Sequence, residues 1–233
     1  MMTIGIIGAM DEEVTALLTN MNVDNEHKIA RSKFYEGTIE GVRVILLQSG
    51  IGKVNASLST AILHERFKPK VVINTGSAGG VDEALNVGDI VIGKDVVHHD
   101  ADATAFGYAY GQIPQMPHFF QSDSELIKLA EETIGEINQQ IKVKVGTIGT
   151  GDSFMSDQAR VREVVKKLPT VKAFEMEAAA IAQVCYQYDT RFLIIRSLSD
   201  IAGKESNISF DQFLETAAKN SAELIIKMLK KIK

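Results

Sequence analysis

Apolar residues recur along this chain in two alternating rhythms. Short runs rich in β-branched residues, at 3–7, 33–39, 42–48, 71–74, 89–92, 142–148, 171–174 and 192–196, have the length and composition of strands. Between them the apolar period lengthens to that of a helix. Near the C-terminus, Phe210, Phe213, Leu214, Ala217, Ser221, Leu224, Ile225 and Met228 share one helical face. Ser209 with Gln212, and Ser122 with Glu125, have the spacing of capping boxes. The second box opens a helix that buries Leu126, Ala130, Ile134 and Ile137. Another helix follows Ser156 and stops at Pro169, where the ring forbids its continuation. Strands alternating with helices predict an α/β fold with a mainly parallel sheet. The runs 33–39 and 42–48 join across Glu40-Gly41 as a hairpin, which makes the sheet mixed.

Composition narrows the picture. With 233 residues, 45% apolar and only four prolines, the chain can bury a large core without covalent staples. No repeat, low-complexity stretch or Pro/Ser-rich linker divides it, so residues 1–233 read as one domain. Its one cysteine, Cys185, sits in the helical run 178–188 and has no internal disulfide partner, which gives no reason to expect an oxidising compartment. The formal net charge of −5 argues against nucleic acid or an anionic membrane as the main partner. Lys166-Lys167 and Lys230-Lys231 end helical stretches, where cations suit the dipole. The apolar N-terminal ten residues have no basic leader and run into Asp11, Glu12 and Glu13, which predicts a cytosolic protein. No run is long enough to span a membrane.

Glycines gather where strands end: Gly8, Gly50 with Gly52, Gly76 with Gly79 and Gly80, and Gly149 with Gly151. In open α/β sheets, ligands bind beyond the carboxyl ends of the strands. Glycine there lets backbone approach a ligand, though each cluster is equally explained by a tight turn. Familiar phosphate motifs do not fit. Gly5 to Met10 lacks the dinucleotide spacing, and Gly52-Lys53 has neither the upstream glycine nor the following hydroxyl of a P-loop. His98 and His99 have metal-ligand chemistry, but neighbours on a strand point to opposite faces, and neither Cys nor a second motif accompanies them. No metal or other cofactor is expected. Neither Ser77 nor Ser153 lies in the context of a nucleophile elbow.

What remains is acidic. Glu13 lies past the first strand, Glu175 and Glu177 follow the strand ending at Phe174, and Asp200 follows the strand ending near Arg196. Chain-distant carboxylates brought to one sheet edge are the tools of glycosidic cleavage, one giving a proton to the leaving group while the other activates water. Glu12 is better read as the start of a helix, where an anion suits the dipole. Arg196, near the end of a buried strand, must pair with an acid or a ligand. A purely structural pair with Glu175 or Glu177 is the alternative to a catalytic role.

Six blocks in order carry a resemblance: Gly8-Ala-Met-Asp-Glu-Glu13-Val, Ser49-Gly-Ile-Gly-Lys53, Asn74-Thr-Gly-Ser-Ala-Gly-Gly80, His99-Asp-Ala-Asp102, Phe174-Glu-Met-Glu177-Ala and Arg196-Ser-Leu-Ser-Asp200. Together they resemble the bacterial 5′-methylthioadenosine/S-adenosylhomocysteine nucleosidases, from residue 3 to about residue 230. The resemblance implies a three-layer α/β/α sandwich around a mixed sheet, nucleoside phosphorylase-like, and a homodimer. It implies that Asp200 protonates adenine N7, that Glu13 deprotonates water with Arg196 helping to hold it, and that Glu177 accepts from the ribose hydroxyls. Phe154 would stack on adenine and the Met155 backbone would read its edge. Ser77, Ala78 and Gly79 would approach ribose and base, with Glu175 and Ser199 beside them. Met10, Ile51, Met176 and Phe210 would line a pocket for the 5′-alkylthio group, to which polarizable methionine is suited. Phe106 and Pro114 would reach into the partner subunit's site. Thionucleosides, and 5′-deoxyadenosine with them, are the implied substrates. The rival readings are a phosphorylase of the same superfamily, a nucleoside-binding protein without catalysis, and a nucleosidase for a futalosine-type nucleoside.

Overall fold

The computed structural model describes residues 2–137, 141–203 and 206–232, with backbone alone for 206–209. The chain opens with β1 (Ile4–Gly8), α1 (Asp11–Leu18), β2 (Asn22–Ile29), β3 (Ser32–Ile39), β4 (Val42–Gln48) and α2 (Lys53–Phe67). It continues through β5 (Val71–Gly80), β6 (Ile90–His98), β7 (Phe120–Gln121), α3 (Ser124–Ile134), β8 (Val143–Thr150) and α4 (Gln158–Lys167). β9 (Val171–Glu175), α5 (Ala178–Gln187), β10 (Arg191–Ile201) and α6 (Ser206–Lys231) complete it.

The strands form one mixed sheet in the order β10-β6-β8-β9-β5-β1-β4-β3-β2, with β7 on β6 and a further pairing of β10 to β5. That last pairing makes one end of the sheet close on itself through β5, β10, β6, β8 and β9. Alternation along the strands divides the side chains between two faces. Ile7, Ile45, Leu47, Val72 and Ile194 pack with α2 and α5 through Ala56, Leu63 and Ala178–Ala182. Their neighbours Ile6, Val44, Leu46, Ile73, Leu193 and Ile195 pack with α1, α3 and α6 through Leu17, Leu126 and Ile225. Helices on both faces of a mixed sheet make the α/β/α sandwich, and the period-two alternation of the strands is what divides its two cores.

Several departures from the sequence reading have clear causes. β2 carries no apolar alternation and lies almost wholly exposed. It is a charged edge strand, a composition that discourages further pairing. Its hairpin to β3 turns at Ala30 and Arg31, both at positive φ, without the Gly or Asn that usually marks such a turn. β5 and β10 run well past positions 74 and 196, so their glycines and Asp200 belong to the strands. α3 is capped by Asp123, whose carboxylate accepts from the N–H groups of Glu125 and Leu126 at 3.0 Å each. The Ser122 hydroxyl instead lies buried without a partner, because the acceptor-only carboxylate one residue later is the stronger cap. α6 begins at Ser206, so Ser209 does not start it, and the Ser209 side chain lies outside the described residues. Phe213 is exposed rather than in the core.

The Asp123 cap also receives Nε of Arg191 at 2.6 Å. Asp123→Ala is therefore expected to cost about 1 kcal/mol, read as a fall of roughly 2–4 °C in melting temperature. Ser122→Ala should leave the melt unchanged or slightly raised, and a larger loss at Ser122 than at Asp123 would contradict this assignment.

Candidate active site

Two carboxylates approach β5 from different parts of the chain. β1 ends at Gly8, the chain turns, and α1 places Glu13 in its first turn. Its side chain folds back, so that Oε2 accepts from Ala9 N at 2.7 Å and Met10 N at 3.2 Å. Oε1 accepts from Ser77 N at 3.0 Å and Ser77 Oγ at 3.2 Å. Gly76 makes this possible, since a Cβ there would lie 2.7 Å from Glu13 Oε1. Asp200 reaches the same strand from the other side. β10 runs parallel to β5, shifts register between Leu198 and Asp200, and sets Asp200 beside Gly79. A Cβ on Gly79 would meet Asp200 Oδ2 at 2.9 Å. Glycine at these two positions is thus the space that the two acids occupy.

Asp200 is buried, and Ser199 Oγ donates to its Oδ1 at 2.8 Å. Burial penalises the charged carboxylate and pushes the pKa up to about 6, with the Ser199 hydrogen bond working weakly against the rise. Glu177, at the start of α5, accepts the Gly52 N–H at 2.8 Å. It is pushed up to about 8, first by burial and then by the neighbouring Glu175 charge, against the pull of Arg196.

Glu175 is the anchor of a buried network. Its Oε2 accepts from Glu177 N at 3.0 Å, Ala178 N at 2.8 Å and Arg196 Nη2 at 2.6 Å, while Thr150 Oγ1 donates to Oε1. Burial works to raise its pKa, but the Arg196 guanidinium and these donors outweigh burial and hold it below the usual range. Arg196 is almost fully buried and also donates to Asn74 Oδ1 at 2.6 Å. Its recorded hydrogen bonds go to Glu175, Asn74 and the Ile195 carbonyl, not to Glu13. The ion pair weighed from the sequence as an alternative is the contact that the structure contains.

Glu13 and Asp200 line one cavity of about 330 Å³, a size suited to a small ligand. Met10, Ile51, Ser77, Ala78, Gly79, Phe154, Glu175, Met176, Glu177, Ser199 and Phe210 line it too. Phe154 meets Phe210 edge to face at 5.8 Å. A recess of about 30 Å³ opens beside it, lined by Ser153, Phe154, Met155 and Asp200 among others; the buried Met155 carbonyl accepts from Gly203 N at 3.0 Å. Arg196 lies behind the wall. Phe106 is 83% exposed, and neither it nor Pro114 lines this chain's own cavity. His98, the last residue of β6, bonds Gln183 at 3.0 Å, while His99, just beyond the strand, packs edge-on against Phe174.

The sequence reading missed Ala9, Phe174 and Asp211 in the lining, and Thr150 and Asn74 behind it. The signal for the last two was present: each is a polar residue at or just past the end of an apolar run in the sequence, where a buried group needs a partner.

Two carboxyl groups facing one cavity on a mixed α/β/α sheet are the arrangement of a hydrolase that cleaves glycosidic bonds. The family model described as the phosphorylase superfamily matches residues 3–230. A 5′-methylthioadenosine/S-adenosylhomocysteine nucleosidase of a Geobacillus species is 59% identical over 228 residues, covering 98% of each chain. The structure of a nucleosidase of the same name from Colwellia psychrerythraea, in complex with adenine, superposes with a TM-score of 0.97 at 48% identity, covering 100% of this chain and 96% of that one. A futalosine hydrolase from Helicobacter pylori superposes at 0.93 with 35% identity, covering 99% and 98%. The chain belongs to the 5′-methylthioadenosine/S-adenosylhomocysteine nucleosidase family of the phosphorylase superfamily.

The raised Asp200 pKa has a consequence for stability. Well below about pH 4 the carboxyl is protonated in both folded and unfolded chains and costs nothing. As pH rises toward 6 the unfolded chain ionises first, so the folded state loses stability, and above about 6 the loss is complete, on the order of 3 kcal/mol. Asp200→Asn should therefore melt several degrees higher than the unsubstituted protein at pH 7, with the difference closing near pH 4. A variant that melts lower at pH 7 would show that the buried charge is stabilised by groups other than Ser199.

Proposed function

We propose that the chain hydrolyses the N-glycosidic bond of 5′-methylthioadenosine and S-adenosylhomocysteine, releasing adenine and the corresponding thioribose. The observation that carries this reading is the placement of Asp200 and Glu13 on one cavity, against Gly79 and Gly76 of the same strand. Three residues of strand separate those positions by roughly 10 Å, room for a ribose and a water between the two acids.

Asp200 is the proton donor to adenine N7. A pKa near 6 keeps it partly protonated close to neutrality, and N7 gains basicity as the C–N bond lengthens, so the proton moves with the departing base. Ser199 fixes the carboxyl. Glu13, aimed into the cavity, exchanges its contact with Ser77 Oγ for a water and takes that water's proton as it attacks the anomeric carbon. Glu177 receives the ribose hydroxyls, which as donors favour its ionised form. Glu175 sets the start of α5, and Arg196 acts through Glu175 rather than on the water. Phe154 stacks on the base, the Met155 backbone reads its edge, and Met10, Ile51, Met176 and Phe210 receive the alkylthio group. Acid–base chemistry of this kind calls on no cofactor.

Hydrolysis is favoured over phosphorolysis by charge. The described lining residues include five carboxyl groups, Glu13, Glu175, Glu177, Asp200 and Asp211, and no Lys, Arg or His, so the described lining offers no cation to hold a phosphate dianion. The likeness to a futalosine hydrolase favours a related nucleoside as the second reading. The active unit is a homodimer: Ile51, Val54, Leu58 and Phe106 stand exposed, an apolar surface suited to a second copy, with Phe106 and Pro114 completing the partner's cavity. No described helix is long and apolar enough to cross a membrane, and the whole chain works as one cytosolic domain on a small nucleoside.

Chromatography of 5′-methylthioadenosine, S-adenosylhomocysteine and futalosine after incubation with the protein is expected to show free adenine from the first two, equally with and without phosphate. Asp200→Asn should still bind the thionucleoside and lose roughly 10³-fold in kcat. Phosphate-dependent turnover, release only from futalosine, or an active Asp200→Asn protein would each overturn the corresponding part of this reading.

A further inference from the structure

Two of the six sequence blocks, Ser49-Gly-Ile-Gly-Lys53 and His99-Asp-Ala-Asp102, contribute polar residues that the chemistry above leaves unused. The structure brings them together with the loop that carries Phe154. Asp100 accepts from Lys53 Nζ at 2.6 Å through Oδ1, and from Asp152 N at 3.0 Å through Oδ2. The Asp152 carboxylate in turn accepts from Lys53 N at 2.7 Å, capping the start of α2. Lys53, Asp100 and Asp152 thus form a closed ring of contacts between three chain-distant segments.

Each end of this ring leads to the cavity. Ile51 lines it and Gly52 donates to Glu177, immediately before Lys53. Phe154 lines it two residues after Asp152. Neither Lys53 nor Asp100 lines the cavity itself. Glu13 and Asp200 hang from other elements, β1–α1 and β10, and their carboxyls share no hydrogen bond with the ring.

We propose that Asp100 and Lys53 are positioning residues that set the separation between the Ile51–Gly52 wall and Phe154, and so set the affinity for the nucleoside. The inference rests on the reading of this cavity as a nucleoside site and deepens it. The Lys53 and Asp100 side chains retain 23% and 20% exposure, so as an ion pair they contribute little to global stability. Their effect is geometric: they join two loops, and a displacement of either changes the gap into which base and ribose must fit. Because the acid and the base are held elsewhere, loss of the ring loosens binding and spares the chemical step.

The test compares Asp100→Ala, Lys53→Met, the double variant and Lys53→Arg with the unsubstituted protein, by steady-state kinetics on 5′-methylthioadenosine, calorimetric affinity for adenine, and thermal melting. Each single variant is expected to raise KM and the adenine Kd about 10-fold or more while kcat changes less than about threefold, with the melt nearly unmoved. The double variant should be no worse than the worse single one, since both break the same ring, and Lys53→Arg should recover part of the affinity. Unchanged KM and adenine affinity, or losses that multiply in the double variant, would overturn the proposal, as would kcat and melting temperature falling together. If Asp100→Ala fails to fold, Asp100→Asn, which keeps the shape and one acceptor, is judged by the same criteria. An unsubstituted protein that releases no adenine would overturn the nucleosidase reading, and the adenine Kd of the variants would then still decide the role of the ring.

Discussion

A carboxylic acid can serve as a proton donor near neutrality only where the folded chain makes its charge expensive, and that cost must be borne by the rest of the protein. In this molecule that cost attaches to Asp200, the proposed donor. The group is buried, its one recorded hydrogen bond is from the Ser199 hydroxyl, and its pKa rises to about 6. Glu13 is buried to a similar extent yet receives donors from Ala9, Met10 and Ser77. Two carboxyls that face one strand thus sit in unlike surroundings, one with a single donor and the other with several.

The sheet supplies this difference. β5 and β10 stay paired beyond the reach of β1 and β6, and the shift between Leu198 and Asp200 brings the acid next to Gly79. Behind them, the Arg196–Glu175 pair is fully enclosed and shared with Thr150, Asn74 and the first N–H groups of α5. A buried pair of this kind adds little net stability. Its contribution is orientation: it fixes the turn from β9 into α5 and therefore where Glu177 stands. The same logic extends outward to Lys53, Asp100 and Asp152, where a half-exposed ring holds two loops rather than a core.

Much of this was legible in the chain, and the parts that were not have physical reasons. Strands with β-branched cores announced themselves, as did the hairpin at Glu40-Gly41, because period and turn chemistry are local. β2 did not, since an edge strand is specified by its partner β3 and not by its own apolar pattern. The ends of β5 and β10 were hidden by the glycines of 76–80 and the polar residues of 197–200, which read as loops until their pairing is seen. The acids could be picked out because a carboxylate at a strand end needs an explanation. Which donors each one meets depends on contacts across more than 60 residues of chain, as between Glu13 and Ser77, and no local pattern encodes that. The pairing of Arg196 with Glu175, 21 residues away, was one of the alternatives open in the sequence, and only the fold selects it.

The proton on Asp200 can be observed without any turnover. Carbon NMR of carboxyl-labelled protein, with the Asp200 signal identified by its absence in Asp200→Asn, gives the titration of this one group in the ligand-free enzyme. A midpoint of about 6, displaced upward by burial, is expected. A midpoint near 4, the value of a solvated aspartate, would mean that the group carries its charge freely and that the proton for the departing base comes from elsewhere.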